Sequence, residues 1–431
     1  MAAPVSASTL PKTPATPPGA ATPNYTPALA SLTVLFFMMG FITCLNDILI
    51  PYLKGLFSLG YAEAMLVNSC FFGAYLIMGL PAGYVVKRLG YKRGMLVGFL
   101  VAALGCFLFF PAAEQRVFGL FLGALFVLAS GVVMLQVAGN PYVAILGPPE
   151  TAAARLTLTQ AFNSLATTIA PPLGTALILS KLPDLKTMSA AQAAAIDVAP
   201  VQTLYLYIGV VLIVISGVLF FLKMPVVEHA PAAPGDITNA WSYGHLLRGL
   251  VGIFAYVGAE VAIGSIMLNY LQEKEVMDLT SVAAGNKVGL YWGGAMVGRF
   301  IGVAVLSRVR PARVLAFNAV AAVALILVSI NTTGPVAMYS MLAVGLMNSI
   351  MFPTIFTLAV AGLGRHTEQA SGMLSAAIVG GAVIPPLFGL IADSTLGGGG
   401  VHALRLAFLL PAACYLYIMW YGARGHKPAA E

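Results

Sequence analysis

The sequence predicts an all-α polytopic membrane protein, with twelve transmembrane helices in two pseudo-symmetric six-helix halves. Three observations carry this expectation. The chain is 59% hydrophobic and only 9% charged, where a soluble domain is about 25% charged. Apolar runs recur from Ser31 to Tyr421, each long enough to cross a hydrocarbon core of about 30 Å as a helix of roughly 20 residues. A polar, Pro-rich stretch from Lys223 to Gly244 divides these runs into two sets of six. Helices rather than barrel strands are expected, because alternating strands give a far weaker hydropathy signal.

Residues 1–28 are rich in Pro, Ala and Thr and hold one basic residue, Lys12. They predict a disordered cytoplasmic tail. They lack the basic start, apolar core and small-residue cleavage site of a signal peptide, so the first apolar run is expected to stay as a span. Spans one to six are placed near 29–52, 62–86, 95–112, 116–146, 156–180 and 202–223, within an N-terminal half of residues 29–223. The polar insert from Lys181 to Pro200 suits a short surface helix. Residues 224–245 read as a cytoplasmic linker. Spans seven to twelve are placed near 246–271, 284–306, 313–331, 335–362, 370–392 and 402–422, within a C-terminal half of residues 246–422. Residues 423–431 form a second cytoplasmic tail.

Charge placement orients the bundle. With both ends cytoplasmic, the inner loops and tails hold fourteen of the 22 Lys and Arg, the outer loops hold seven, and Arg299 lies within a span. That bias obeys the positive-inside rule. The net charge of +7 therefore reflects topology and implies no nucleic-acid partner. The densest basic turns, Lys87 to Arg93 and Arg308 to Arg313, follow spans two and eight, which are corresponding positions in the two halves. Both are preceded by glycines. Spans five and eleven share a double proline, in "APPLG" (Ala170 to Gly174) and "IPPLFG" (Ile384 to Gly389), and a proline inside a helix is expected to kink it or end a turn. Repeated halves with broken helices are what a carrier needs to rock around a central site.

An ionised group in mid-membrane should face a cavity or a partner. Asp47, in span one, and Glu260, in span seven, occupy the first helix of each half at similar depth. Either could bind and release a proton, or ligate sodium together with backbone carbonyls at a helix break, or merely tether a neighbouring helix. Arg299 is a candidate counter-charge, with a structural role the plainer expectation. Asn46, Gln136, Asn140, Gln160, Asn163 and Asn269 form a second group. Carboxamides donate and accept, so they suit a neutral, hydroxyl-rich ligand, although amides also join helices. Trp292, Tyr291, Tyr256, Phe37 and Phe352 are available to stack on a sugar ring. Asn140 precedes Pro141, which suits a structural cap.

Other polar features read as structural. Cys44, Cys70, Cys106 and Cys414 lie in apolar segments without a CxxC, as small buried hydrophobes. His229, His245, His366, His402 and His426 sit in loops, termini or span edges. The run Gly397 to Gly400 lacks the Lys and Ser or Thr of a phosphate cradle. No catalytic cluster, metal motif or cofactor motif is present, so neither an enzyme nor a cofactor is expected.

Several stretches together resemble the fucose–galactose–glucose symporter branch of the major facilitator superfamily. They are "FFMMGFITCLNDILIPYLKGLF", "LQVAGNPYVAILG", "RLTLTQAFNSLATTIAPPLG", "FAYVGAEVAIGS", "LYWGGAMVGRFIG" and "MFPTIFTLAVAGLG". The likeness covers nearly all of the chain after about residue 29. It implies the twelve-helix major facilitator fold, a bacterial inner-membrane location and monomeric uptake of a hexose or N-acetylhexosamine with a proton or sodium. It makes Asp47 and Glu260 the cation-coupling pair. Asn46, Gln136, Gln160, Asn163, Asn269 and Trp292 become the sugar-binding set. Fucose-transporting members of the branch carry an acid in span four, where this chain has Gln136, and an amide in span seven, where it has Glu260. Two other readings are export of a lipophilic compound, which predicts a more aromatic and less amide-rich cavity, and a non-transporting sugar sensor, which predicts binding without flux.

Overall fold

The structure, a computed structural model, describes residues 25–57, 59, 61–177, 197–225, 239–394 and 400–427. The first half holds α1 (Thr26–Phe57), α2 (Tyr61–Leu89), α3 (Tyr91–Gln115), α4 (Phe118–Ile145), α5 (Ala152–Leu177) and α6 (Ala199–Phe221). The second half opens with α7 (Gly244–Gln272), α8 (Ser281–Leu306) and α9 (Pro311–Ile330). Its last three spans run in two pieces each. Span ten is α10 (Gly334–Asn348) and α11 (Met351–Ala359), span eleven is α12 (Thr367–Ala376) and α13 (Gly380–Ala392), and span twelve is α14 (Gly400–Ala407) and α15 (Leu409–Trp420). Most of the expected N-terminal tail, the insert at 178–196, linker residues 226–238 and most of the Gly397–Gly400 run lie outside the described residues.

Eleven spans among the described residues are long and apolar enough to cross a bilayer. The twelfth span is α5, whose hydropathy is diluted by Arg155, Gln160, Asn163 and several hydroxyl residues. It packs against α1 within its own half and against α8 across the halves. Large apolar side chains face outward, as they must in lipid: Phe221 is 84% exposed and Leu390 is 71% exposed.

The basic turns gather at one end of the bundle, called here the basic end. Gly90, with φ at 80°, makes the sharp turn from α2 to α3 there, a left-handed conformation open to glycine without a Cβ penalty. Several of these basic residues close helix C-termini, whose last carbonyls have no helical partner. Lys92 Nζ donates to the carbonyls of Phe220 (2.8 Å) and Leu222 (2.7 Å) at the end of α6. Arg155 donates to Val143 (3.2 Å) and Ala144 (2.7 Å) at the end of α4.

The halves meet through two corresponding pairs of spans, α2 with α12 and α5 with α8. Gly79 and Gly83 of α2 lie directly on Gly372 and Glu368 of α12, so close that any Cβ at Gly372 would strike the Gly79 carbonyl. On the second seam Phe162 meets Phe300 edge-on at 6.3 Å, and Thr168 lies 3.5 Å from the Met296 sulfur. These contacts run from the basic end to about mid-depth, so the halves are joined at that end.

Both helices with paired prolines stay continuous. α5 runs unbroken through Pro171 and Pro172, and α13 runs through Pro385 and Pro386, the discontinuity of span eleven lying earlier, at a 3-10 turn over Ala377–Val379. A helix proline removes the N–H that would pair with the carbonyl four residues back, and in a membrane a neighbouring group can restore that pairing. Three sites do so. The Thr167 carbonyl, freed by Pro171, accepts from Cys44 Sγ at 3.4 Å. The Val137 carbonyl, freed by Pro141, accepts from Ser371 Oγ at 2.9 Å across the halves. The Ser349 carbonyl, freed by Pro353, accepts from Arg299 Nε at 3.3 Å. At the third site the helix does break, between α10 and α11.

Gly372→Leu should disfavour the joined basic end by about 1–3 kcal/mol, the usual cost of overpacking. Ser371→Ala should do so by about 0.6 kcal/mol, the average for a membrane hydrogen bond. Faster maleimide labelling of a single cysteine placed at Ala376 is the expected readout for both, and unchanged labelling in the leucine variant would refute the packing argument.

Candidate functional site

Glu260 lies near the middle of α7, partly exposed, with α8, α11 and α15 packed around the helix. Its Oε1 accepts from the Tyr256 hydroxyl, one turn earlier on the same helix, at 2.8 Å. The same hydroxyl lies 3.2 Å from the Asn348 carbonyl at the end of α10. Asn348 Nδ2 donates to the Tyr291 hydroxyl at 2.9 Å, and that hydroxyl reaches the Glu260 carbonyl at 3.3 Å. Arg299 acts on the carboxylate electrostatically while holding Ser349. Spans seven, eight and ten thus build one polar network around the acid, at the point where Pro353 breaks span ten.

Tyr256 and Tyr291 are 1% and 0% exposed. Their rings are closed off from any ligand, which corrects the expectation that they could stack on a sugar, and the hydroxyls are the working groups. Phe352 is partly buried and stacks on Phe356, with centroids 6.3 Å apart. Trp292 is different, being 45% exposed. It lies one and two turns along the same face of α8 from Met296 and Phe300, the residues that touch α5, so that face looks toward the other half. Its indole covers Gly264, one turn along α7 from Glu260. The exposed aromatic plate therefore covers the turn of α7 that follows Glu260.

On the opposite side, Gln136 and Asn140 sit one turn apart on α4. They lie on the arc between Gly139, which meets α1, and Val137, which meets α12. Gln136 Oε1 and both amide atoms of Asn140 are buried with no hydrogen-bond partner among the described residues. Gln160 is 7% exposed on α5. Asn163 donates from Nδ2 to the Phe36 carbonyl at 2.9 Å and packs on Gly40, so it ties α1 to α5. Asn269 is exposed near the far end of α7, about 13 Å along the axis from Glu260 and half a turn around it. The structure does not bring it to the acid. Helix α1 runs through Asn46 and Asp47, whose side chains lie outside the described residues.

Asn348 escaped the sequence reading. A signal for it was present: Pro353 lies five residues after it, and a proline breaks helical pairing four residues upstream, which marks the Asn348–Ile350 stretch as a place where backbone groups need partners.

The sequence matches the Major Facilitator Superfamily over residues 30–386. The chain belongs to that superfamily. It is a carrier fold, not an enzyme, and a multi-pass membrane protein. Within the superfamily it is 54% identical over 406 residues to a "Glucose/galactose transporter" of Brucella abortus, covering 94% of this chain and 95% of the relative. It is 46% identical over 400 residues to a "Putative glucose/galactose transporter" of Helicobacter pylori, covering 93% and 97%. It is 35% identical over 414 residues to an "L-fucose-proton symporter" of Escherichia coli, covering 92% of each. Among solved structures it superposes with a TM-score of 0.84 and 34% identity on the superfamily transporter FucP in the outward conformation, covering 93% of this chain and 99% of that one. Halves joined at the basic end agree with that likeness.

Asn348→Ala removes the donor to Tyr291 and should lower stability in detergent by about 1–2 kcal/mol, the usual range for a buried hydrogen bond. A thermal midpoint equal to that of the unaltered protein would show that the network is not formed.

Proposed function

We propose that the chain is a secondary active importer of a hexose or N-acetylhexosamine, driven by protons and working by alternating access in the bacterial inner membrane. The observation that carries this reading is Glu260: an ionisable group at mid-depth, in a polar network one turn along α7 from the glycine that the exposed Trp292 covers. The printed names of the relatives, two glucose/galactose transporters and an L-fucose-proton symporter, support the same class of solute.

In this reading Trp292 stacks on the apolar face of the sugar ring, and carboxamides meet its hydroxyls. Gln136 is the best placed of them, since its oxygen is buried and unpartnered, and Gln160 lies on a neighbouring helix of the same half. Asn163 acts mainly by holding α1 against α5, at Phe36 and Gly40. Asn269 contributes only near the outer mouth. A proton suits Glu260 better than sodium does: the side chains around it offer a hydroxyl hydrogen and a guanidinium, whereas a hard cation is held by several oxygen ligands. Asp47 is the second coupling acid. In this reading both termini lie in the cytoplasm, which the bias of Lys and Arg to the basic end supports, and the carrier works as a monomer. Protonation must favour one arrangement of the halves over the other, because equal affinity for both drives nothing.

Purified protein in proteoliposomes, given D-glucose, D-galactose and N-acetyl-D-glucosamine with proton and sodium gradients imposed separately, tests this directly. Accumulation driven by the proton gradient is expected. Dependence on sodium alone would overturn the coupling assignment. Glu260→Gln should abolish concentrative uptake while retaining exchange, and undiminished accumulation would remove Glu260 from the mechanism. Trp292→Ala and Gln160→Ala should each weaken sugar binding by about 1–3 kcal/mol, or roughly 5- to 150-fold; calorimetry giving unchanged affinity for either would take that residue out of the site.

A further inference from the structure

The Tyr256 hydroxyl has one hydrogen and two acceptors within reach: Glu260 Oε1 at 2.8 Å and the Asn348 carbonyl at 3.2 Å. We propose that Tyr256 is a positioning residue that ties the charge state of Glu260 to the break in span ten. The inference rests on the proton-coupling reading of Glu260 given above.

The chemistry follows from counting hydrogens. An ionised carboxylate is acceptor-only, and a hydrogen bond to a charged oxygen is about twice as strong as one to a neutral carbonyl. With Glu260 ionised, the phenolic hydrogen is drawn to Oε1, the charged acceptor, and the Asn348 carbonyl is left poorly served. A protonated Glu260 becomes a donor. Its hydrogen can be accepted by the Tyr256 oxygen, which turns the phenolic hydrogen fully onto the Asn348 carbonyl. No covalent bond forms or breaks beyond the carboxyl's own proton, and the relay reverses when that proton leaves.

What makes the carbonyl sensitive is its place. α10 ends at Asn348, so the carbonyls of its last turn fall outside helical pairing. Pro353 denies the next carbonyl, Ser349, its N–H, and Arg299 serves it instead. Side chains from spans seven, eight and nine therefore hold the Asn348, Ser349 and Met347 carbonyls around the break, and of these the Tyr256 bond shares its hydrogen with the acid. Protonation strengthens the broken form of span ten, and ionisation weakens it. Since α11 packs on both α7 and α5, a change of angle at the break reaches the seam between the halves.

The titratable and charged groups that face Glu260 are Tyr256 on α7, Tyr291 and Arg299 on α8, and Tyr415 on α15. Helices α11 and α13, also packed on α7, carry no titratable side chain. Among the described hydroxyls, that of Tyr256 bonds to both the carboxylate and the hinge.

The test uses full-length protein in proteoliposomes, with radiolabelled D-galactose as probe or whichever panel sugar the wild type transports. Two quantities are measured across pH 5.5–8.5: exchange at equal pH on both sides, and accumulation under an inward proton gradient. Tyr256→Phe keeps the ring and removes the hydroxyl. It should leave maximal exchange within about twofold but flatten the pH dependence of apparent affinity, with the proton–sugar coupling falling about tenfold, inside the usual span of such couplings. Glu260→Gln should flatten the same profile. A wild-type profile in Tyr256→Phe with a flat one in Glu260→Gln overturns this inference alone. A wild-type profile in Glu260→Gln overturns the coupling reading, and this inference with it. A purely packing role for Tyr256 would lower exchange and accumulation equally with the profile unchanged, which also overturns it. If Tyr256→Phe does not fold, Pro353→Ala serves instead. It restores the missing N–H and mends the helix, so the Asn348 carbonyl takes the Phe352 N–H and the pH profile should flatten; an unchanged profile counts against the switch.

Discussion

Inside a bilayer a backbone carbonyl without a partner finds no water to bond, and each helix proline creates one. Much of the organisation of this protein follows from that constraint. Pro171 exposes Thr167 and draws Cys44, which fastens α1 to α5. Pro141 exposes Val137 and draws Ser371, which fastens one half to the other. Pro353 exposes Ser349 and draws Arg299, which brings a cation to Glu260. The prolines thus act less as kinks than as demands for side chains from elsewhere, and the answering side chains knit the bundle within and between its halves.

The interface between the halves has the opposite character. It is built for close approach and easy parting: glycine on glycine where α2 meets α12, and ring edge on ring face where α5 meets α8. Polar contacts cross it as well, among them Ser371 on the Val137 carbonyl and Thr168 near the Met296 sulfur. A seam of this kind separates at modest cost, which a carrier that must open each end in turn requires. The acid lies off this seam, in the network of the second half, where its charge can be compensated by Tyr256 and Arg299 without locking the halves together.

Much of this was legible in the residue order, because hydropathy is a sum over many residues and tolerates local error. The spans emerged within a few residues of their observed places. Span five shows the limit: its threonines, Gln160 and Asn163 lower its hydropathy, yet its place in the pattern and its double proline still marked it. Both helices with double prolines run on without a break, while span ten breaks just before the single Pro353. A freed carbonyl is served both where the helix runs on, at Pro171 and Pro141, and where it breaks, at Pro353, and the serving side chain is distant in sequence each time. Tyr256 and Tyr291 were read as rings and act through their hydroxyls for the same reason: nothing local says which end of a tyrosine is buried.

The sequence by itself determined that the chain lives in a membrane, where its spans fall, which end is basic and that Glu260 is an unusual charge needing an explanation. These are properties of composition along one dimension, set by the cost of placing polar groups in hydrocarbon. Only the tertiary structure decided that Trp292 faces the other half and covers the turn of α7 that follows that acid, that Asn163 is spent on holding α1, that Asn269 stands apart, and that Asn348 and Tyr256 join the acid to a helix break. Each of those is a pairing across tens of residues, chosen by the geometry of packed helices competing for the same few donors and acceptors.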